Sequence, residues 1–194
     1  MNEMTVAAVM RRDSGMVRPH TPFKEILEQL ADRDIAAVPV VSATGTVLGV
    51  VSELDLLRGR TRRQSGSGRL TAIELMTSPA PTVAADTPLA EASRTFVRYG
   101  WRQMFVVDNG RLVGVLGPRE VLSVFRRPDK EILVEVEHEV LDRLNAGPDH
   151  TVRVSVDEGV VLLTGRHRPG VETGPELTRI AAIPGVIAVR ERTR

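Results

Sequence analysis

Apolar residues in the first two thirds of the chain follow one pattern, written twice 66 positions apart. In the first copy Phe23, Ile26, Leu27 and Leu30 recur at helical spacing, and Thr21-Pro22 ahead of them reads as an N-cap with proline at the first helical position. Leu89, Ala92, Phe96 and Tyr99 repeat the stripe behind Thr87-Pro88. Each predicted helix is followed by an apolar run short enough for a strand, Ala37–Val41 and Met104–Val107. A turn comes next, Ser42-Ala43-Thr44-Gly45 or Asp108-Asn109-Gly110, and then a second strand, Val47–Val51 or Leu112–Leu116. Closing helices begin near Ser52 and near Pro118. Each copy therefore predicts helix, strand, turn, strand, helix.

Identities overlie the pattern. Thr5, Met10, Val17, Thr21, Pro22, Glu25 and Val40-Val41 match Thr71, Met76, Val83, Thr87, Pro88, Glu91 and Val106-Val107. After a one-residue slip, Gly45, Gly49, Val50 and Leu57 match Gly110, Gly114, Val115 and Leu122. Two copies do not make a solenoid; they predict a duplicated unit whose halves pack on each other. Between them, Arg58–Arg69 (RGRTRRQSGSGR) holds five arginines and no acid, and reads as a flexible, solvated linker. The sharper alternative is a tether contacting phosphates or nucleic acid, although no aromatic residue interleaves with the arginines to read bases.

Beyond Phe125, Arg126-Arg127-Pro128-Asp129 marks a junction. Ile132, Val136, Val140 and Leu144 place a helix over Glu131–Leu144, stopped by Asn145-Ala146-Gly147-Pro148. Val152, Val154 and Val156 alternate with polar residues as a half-buried strand. Asp157-Glu158-Gly159 turns into a return strand at Val160–Thr164; Glu176–Ile183 is a helix and Val186–Val189 a last strand. The segmentation is 5–57 and 70–126 for the repeats, 58–69 for the linker and 130–194 for a small helix–strand–strand–helix–strand domain.

Composition narrows the function classes. With 26 basic against 25 acidic residues, the 194-residue chain nets +1, which argues against a nucleic-acid partner. From Asp129 onward nine basic residues face twelve acidic ones. The absence of cysteine excludes a disulfide scaffold, a thiolate zinc site and a cysteine nucleophile. No basic, apolar leader opens the sequence and no apolar run is long enough for a membrane span, so the expected location is cytoplasmic. No P-loop, HExxH or GxSxG motif occurs, and an enzyme is not expected. His20, His138, His150 and His167 are scattered; Glu137-His138-Glu139 reads as a solvated helix face rather than a metal site, and Met10 and Met76 read as packing residues.

Several strings carry a family resemblance: Ala7-Ala8-Val9-Met10 and Ile73-Glu74-Leu75-Met76, Val17 through Thr21-Pro22, Ala36-Ala37-Val38-Pro39-Val40-Val41, and Gly49-Val50-Val51-Ser52-Glu53-Leu54-Asp55. On these, residues from about 5 to 126 resemble a tandem pair of cystathionine β-synthase (CBS) domains. Val152–Gly165 and Ile183–Val189 are similar to a BON domain. The expected fold is α/β (α+β): two CBS repeats forming one pseudo-two-fold module, plus a small αββαβ BON domain. The resemblance implies a homodimer with two clefts between repeats. It also implies regulation of an unidentified protein target by an adenosine-containing ligand (AMP, ADP or ATP). For the BON domain it implies phospholipid contact, which the acidic balance of this copy weakens.

Ser52-Glu53-Leu54-Asp55 has two readings. It is Ser-x-x-Asp at a helix start, a capping box. Equally, a carboxylate in a first helical turn can accept both ribose hydroxyls, while exposed amides favour phosphate. The resemblance implies the second: Asp55 on the ribose, Ser52 nearer the phosphates, and Val17 and the backbone of Ala37 on the adenosine side. Arg102-Gln103 occupies the position matching Ala36-Ala37 and, with Arg119, is the candidate phosphate side; each arginine can equally be an ordinary solvated one. The second cleft reads as degenerate, since Gly117 replaces the hydroxyl residue, Glu120 replaces the aspartate and Ala36-Ala37 offers no charge. One ligand per chain is expected. The alternative is a nucleotide-independent dimeric adaptor whose BON domain binds phospholipid or a protein.

Overall fold

The computed structural model describes residues 4–62, 70–138, 151–166 and 174–193. The chain divides into two compact units, one of residues 4–121 and one from residue 122 onward. Outside the described residues lie the second half of the Arg58–Arg69 stretch, the helix continuation from Glu139 to Leu144 with Val140, its stop at Asn145–Pro148, His150 and His167. Among the described residues no helix is long and apolar enough to cross a membrane.

In the first unit each repeat opens with a one-turn helix, α1 (Val6–Val9) or α4 (Ala72–Leu75). A longer helix follows, α2 (Phe23–Asp32) or α5 (Leu89–Tyr99). The hairpins are β1 (Ala37–Val41) with β2 (Val47–Ser52), and β4 (Met104–Asp108) with β5 (Arg111–Leu116). Helices α3 (Glu53–Arg62) and α6 (Pro118–Ser123) close them. A strand absent from the sequence reading, β3 (Thr82–Ala84), pairs in parallel with β4 by way of Val83 and Val106; its counterpart is the single bridge Val17 to Val40. The antiparallel ladders bulge at the same place, between Val40 and Val41 and between Val106 and Val107. The one-residue slip between the copies falls in the turns: Val41 pairs with Val47, but Val107 with Leu112.

Three local expectations change. Pro22 and Pro88, extended at ψ 156° and 134°, are themselves the N-caps of α2 and α5, and neither helix has a side-chain cap. The Thr21 hydroxyl instead accepts the Arg18 amide at 2.9 Å. Ile26 and Leu30 are buried whereas Leu27 is exposed, and Tyr99 is exposed and stacked on Trp101 at 4.7 Å. Helix α3 runs to Arg62, five residues into the predicted linker. Acids Glu53 and Asp55 in its first turn suit the helix dipole.

The two repeats are completed by exchanged segments. Thr5 pairs with Pro88 and Arg11 with Val115, so the opening segment of repeat one docks on repeat two. By the same offset Thr71 pairs with Pro22 and Thr77 with Val50, and Ala72 and Leu75 are buried in the core of repeat one with Ile26, Val38, Val51 and Leu56. Met76 and Met10 lie against Gly49 and Gly114, the packing role expected of them.

The second unit has the element order α7 (Asp129–Val136), β6 (Thr151–Asp157), β7 (Val160–Arg166), α8 (Gly174–Ala181), β8 (Ala188–Thr193). Strand β7 is central, antiparallel to β6 and parallel to β8. Ile132, Val136, Val152, Val161, Leu163 and Ile180 form the core. The last strand begins at Ala188 rather than Val186, because Val186 is a buried loop residue and the Ile187 amide bonds Gly159 O at 2.9 Å. The hairpin turn has positive φ at Glu158 (47°) and Gly159 (73°), the two-residue geometry that matches strand twist. Asp129 holds it: its two carboxylate oxygens accept the Glu158 and Gly159 amides at 2.8 and 2.9 Å. Asp129→Ala removes both acceptors and is expected to cost about 1–3 kcal/mol. Hydrogen exchange at those two amides reads this, and unchanged protection would count against the anchor.

Candidate functional site

Strand β2 ends where α3 begins, and the residues around this corner line two cavities. One, of about 460 Å³, is lined by Ala36, Ala37, Ser52, Glu53, Leu54, Arg102 and Gln103. The other, of about 410 Å³, is lined by Asp55, Arg58, Gly59, Leu70, Glu74, Leu75, Met76 and Thr77. Ser52 and Asp55 form a hydrogen-bonded pair with one member in each lining.

That pair is a capping box. The Ser52 amide and hydroxyl donate to Asp55 Oδ2 at 2.9 and 2.5 Å, and the Asp55 amide returns a bond to Ser52 Oγ at 3.2 Å. The second carboxylate oxygen accepts the Thr77 hydroxyl at 3.2 Å and lies 3.6 Å from the Arg58 guanidinium. Asp55 is only 7% exposed, so its charge is compensated by these donors rather than by water. The capping reading is thus realised in the geometry. The same carboxylate borders a cavity that the hydroxyl of Thr77 and the guanidinium of Arg58 also line.

The seven residues expected to form the site do not all meet. Ala37, Ser52, Arg102 and Gln103 share the first cavity. Gln103 Nε2 donates to Ala37 O at 3.1 Å, a bond between positions related by the repeat offset. Asp55 borders the second cavity. Val17 and Arg119 line neither. Val17 is 2% exposed with its side chain in the core of repeat one, because its parallel bridge to Val40 turns it inward; Arg119 is exposed. Thr77 and Arg58 are residues that the sequence reading missed. Thr77 stands 66 positions after Arg11, and Arg58 had been assigned to the linker.

The matching corner of repeat two is built differently. Glu120 folds back so that Oε2 accepts the Gly117 amide at 2.8 Å, in the place of the Ser52–Asp55 contact. Its Oε1 is 3.0 Å from Arg11 Nε, and Arg11 is the positional counterpart of Thr77. Elsewhere in this unit Asp13 is held below the usual carboxylate range, first by its hydrogen bond from Arg33. Among the described residues no cluster could hold a metal ion.

Comparison with known proteins gives one matching family, the CBS domain, at residues 6–61 and 72–127. An uncharacterized protein of Methanopyrus kandleri is 28% identical over 125 residues, 64% of this chain and 64% of that protein. The chloroplastic CBS domain-containing protein CBSX2 of Arabidopsis thaliana is 29% identical over 135 residues, and the match spans 56% of its length. The crystal structure of CBSX2 in complex with AMP superposes with a TM-score of 0.54 over 61% of this chain and 93% of that one, at 29% identity. The CBS pair of MJ0100 in complex with 5′-methylthioadenosine and S-adenosyl-L-methionine has the same fold, with a TM-score of 0.52 over 63% and 96% of the chains at 20% identity.

Proposed function

Because the chain belongs to the CBS domain family, we propose that it is a non-catalytic regulator binding one adenosine nucleotide (AMP, ADP or ATP) at the corner between β2 and α3. The observation that carries this reading is the pair of cavities joined through Ser52 and Asp55. Asp55 accepts the ribose hydroxyls in exchange for Thr77 and Arg58, and the phosphates extend past Ser52 toward Arg102 and Gln103. Arg102 is exposed at the cavity rim and its planar fork suits phosphate oxygens. The AMP held by CBSX2 supports an adenosine ligand. A ligand that engages Gln103 competes with its bond to Ala37, which links the two repeats. Binding can therefore change how the repeats are held together, as differential affinity for two arrangements requires.

The C-terminal unit, read as a BON domain on its αββαβ order, passes the change to a protein target. The chain works as a homodimer, a reading supported by Leu54, Leu57 and Val97 on helices of the first unit, which are 53%, 64% and 87% exposed. The second reading, a nucleotide-independent adaptor whose BON domain contacts phospholipid or protein, is favoured by one fact: the Asp55 carboxylate is already satisfied by the chain.

Trp101, the single tryptophan, adjoins Arg102 and reports on the site. Titration with ATP, ADP and AMP should saturate with one ligand per chain. Arg102→Ala should weaken ATP about tenfold or more, the value of one lost charge-assisted bond, and leave adenosine unchanged. A titration silent in both fluorescence and calorimetry would favour the adaptor, and flotation with anionic vesicles would then test the lipid arm.

A further inference from the structure

We infer that the strip from Arg94 to Arg102 binds single-stranded nucleic acid, with bases stacking on Tyr99 and Trp101 and phosphates meeting Arg94, Arg98 and Arg102. The chain's one tyrosine and one tryptophan both lie here, two residues apart. Gly100, at φ 64°, ends α5 and turns the chain between them. Their rings stack at 4.7 Å and 17° from parallel, with Tyr99 54% exposed and Trp101 half-buried. The Arg98 guanidinium lies 5.3 Å from the centre of the Tyr99 ring. No acidic residue occurs between Glu91 and Asp108. Arg94, Arg98 and Arg102 are exposed, and among the described residues none of them has an ion pair, whereas Arg11, Arg33 and Arg58 of the same unit each face a carboxylate. Arg94 and Arg98 are neighbours on the face of α5 opposite the buried Leu89, Ala92 and Phe96, and Val97 lies to one side of them.

The occupant follows from charge and ring together. Arg94 and Arg98 stand about one helical turn apart, roughly 6 Å, close to the spacing of successive phosphates along a nucleic-acid strand. An exposed aromatic pair keeps apolar area in water, and an unpaired base laid on it removes that area whatever the base, because every base has a π-face. A duplex hides those faces. An acidic protein segment would satisfy the arginines and leave the rings unused. The near-neutral charge of the whole chain does not oppose such a strip, since counter-ion release depends on the cations that touch phosphate. Arg102 alone is shared with the lining of the proposed nucleotide cleft.

Titration of the full chain with an oligouridylate of about ten nucleotides tests this, because the probe carries no adenosine. It should quench Trp101 fluorescence. Its log K should fall against log salt with a slope of about −2, the value for three phosphate contacts on a single strand. Arg94→Ser/Arg98→Ser should flatten that slope to about −0.7. Tyr99→Ala should weaken binding about tenfold, the value of one stacked base, and keep the slope. Absence of binding at low salt overturns the proposal. Binding that Tyr99→Ala leaves unchanged also overturns it, since that is charge attraction alone. Equal affinity for a duplex of the same length does so too, as does equal affinity for uridine monophosphate, which would place the ligand at a single phosphate site.

Discussion

Gly49→Ala lowers the melting temperature of the CBS unit by roughly 10 °C, a loss of about 3 kcal/mol. A Cβ at this position would lie 2.7 Å from Met76 Sδ and 2.8 Å from the carbonyl oxygen of Thr77. The sulfur can swing aside. The carbonyl cannot, because Thr77 is paired through its backbone with Val50 on the neighbouring residue of the same strand. Relief must come from moving the exchanged segment off β2, which uncovers Ala72 and Leu75 in the core. Gly114→Ala meets the equivalent obstacle, 2.7 Å from Arg11 O and 2.8 Å from Met10 Sδ, and should cost a similar amount. Calorimetric scans of both variants check the pair. A loss below about 1 kcal/mol in either would show that its segment docks loosely.

Asp55→Ala abolishes nucleotide binding at any concentration that saturates the unmodified protein, a loss of at least a hundredfold. Two ribose hydroxyls lose a charged acceptor, each bond being worth about 1.5–3 kcal/mol. The same substitution leaves the Ser52 amide and the Thr77 hydroxyl without the acceptor they share, so stability falls by about 1–2 kcal/mol as well. Asp55→Asn separates the two effects. Its amide oxygen can still receive the Ser52 amide, so the helix start persists, whereas the charge offered to the ribose is gone. Full retention of binding in Asp55→Ala, measured by calorimetry, would reduce Asp55 to a helix cap.

How far the chain could be read beforehand depends on the range of the contact. Both hairpins were legible within a residue or so, because apolar runs such as Val38–Val41 are bounded by turn residues that local sterics dictate. The offset of 66 also placed Arg102 and Gln103 beside Ala36 and Ala37, since a duplicated unit that packs on itself brings like positions together. The exchange of the Thr5–Arg11 and Thr71–Thr77 segments was not legible. Nothing in TVAAVM says that its amides will meet Thr87 and Ala85 rather than residues of its own repeat. The same gap hid Thr77, and with it the fact that Asp55 and Arg102 border different cavities. Val17 stands on the ligand side only through the family resemblance, whereas in this chain its side chain packs in the core of repeat one. Arg58 was lost to composition: an arginine-rich run reads as solvated linker, yet Arg58 lies within α3, 3.6 Å from Asp55.

The exchanged segments also set an order of events during synthesis. Strand β2 leaves Val50 without its backbone partner until Thr77 has been made, and repeat two takes its own from Arg11, made long before. At about 5–20 residues per second the ribosome needs a second or more to supply that partner, and through this interval the first repeat has an open edge while the opening segment has nothing to dock on. The first gap can close once Thr77 exists, the second only when Val115 of the second hairpin does. The two repeats thus mature as one object, and a chain released between them would hold a first repeat without its closing segment and an opening segment with nothing to complete.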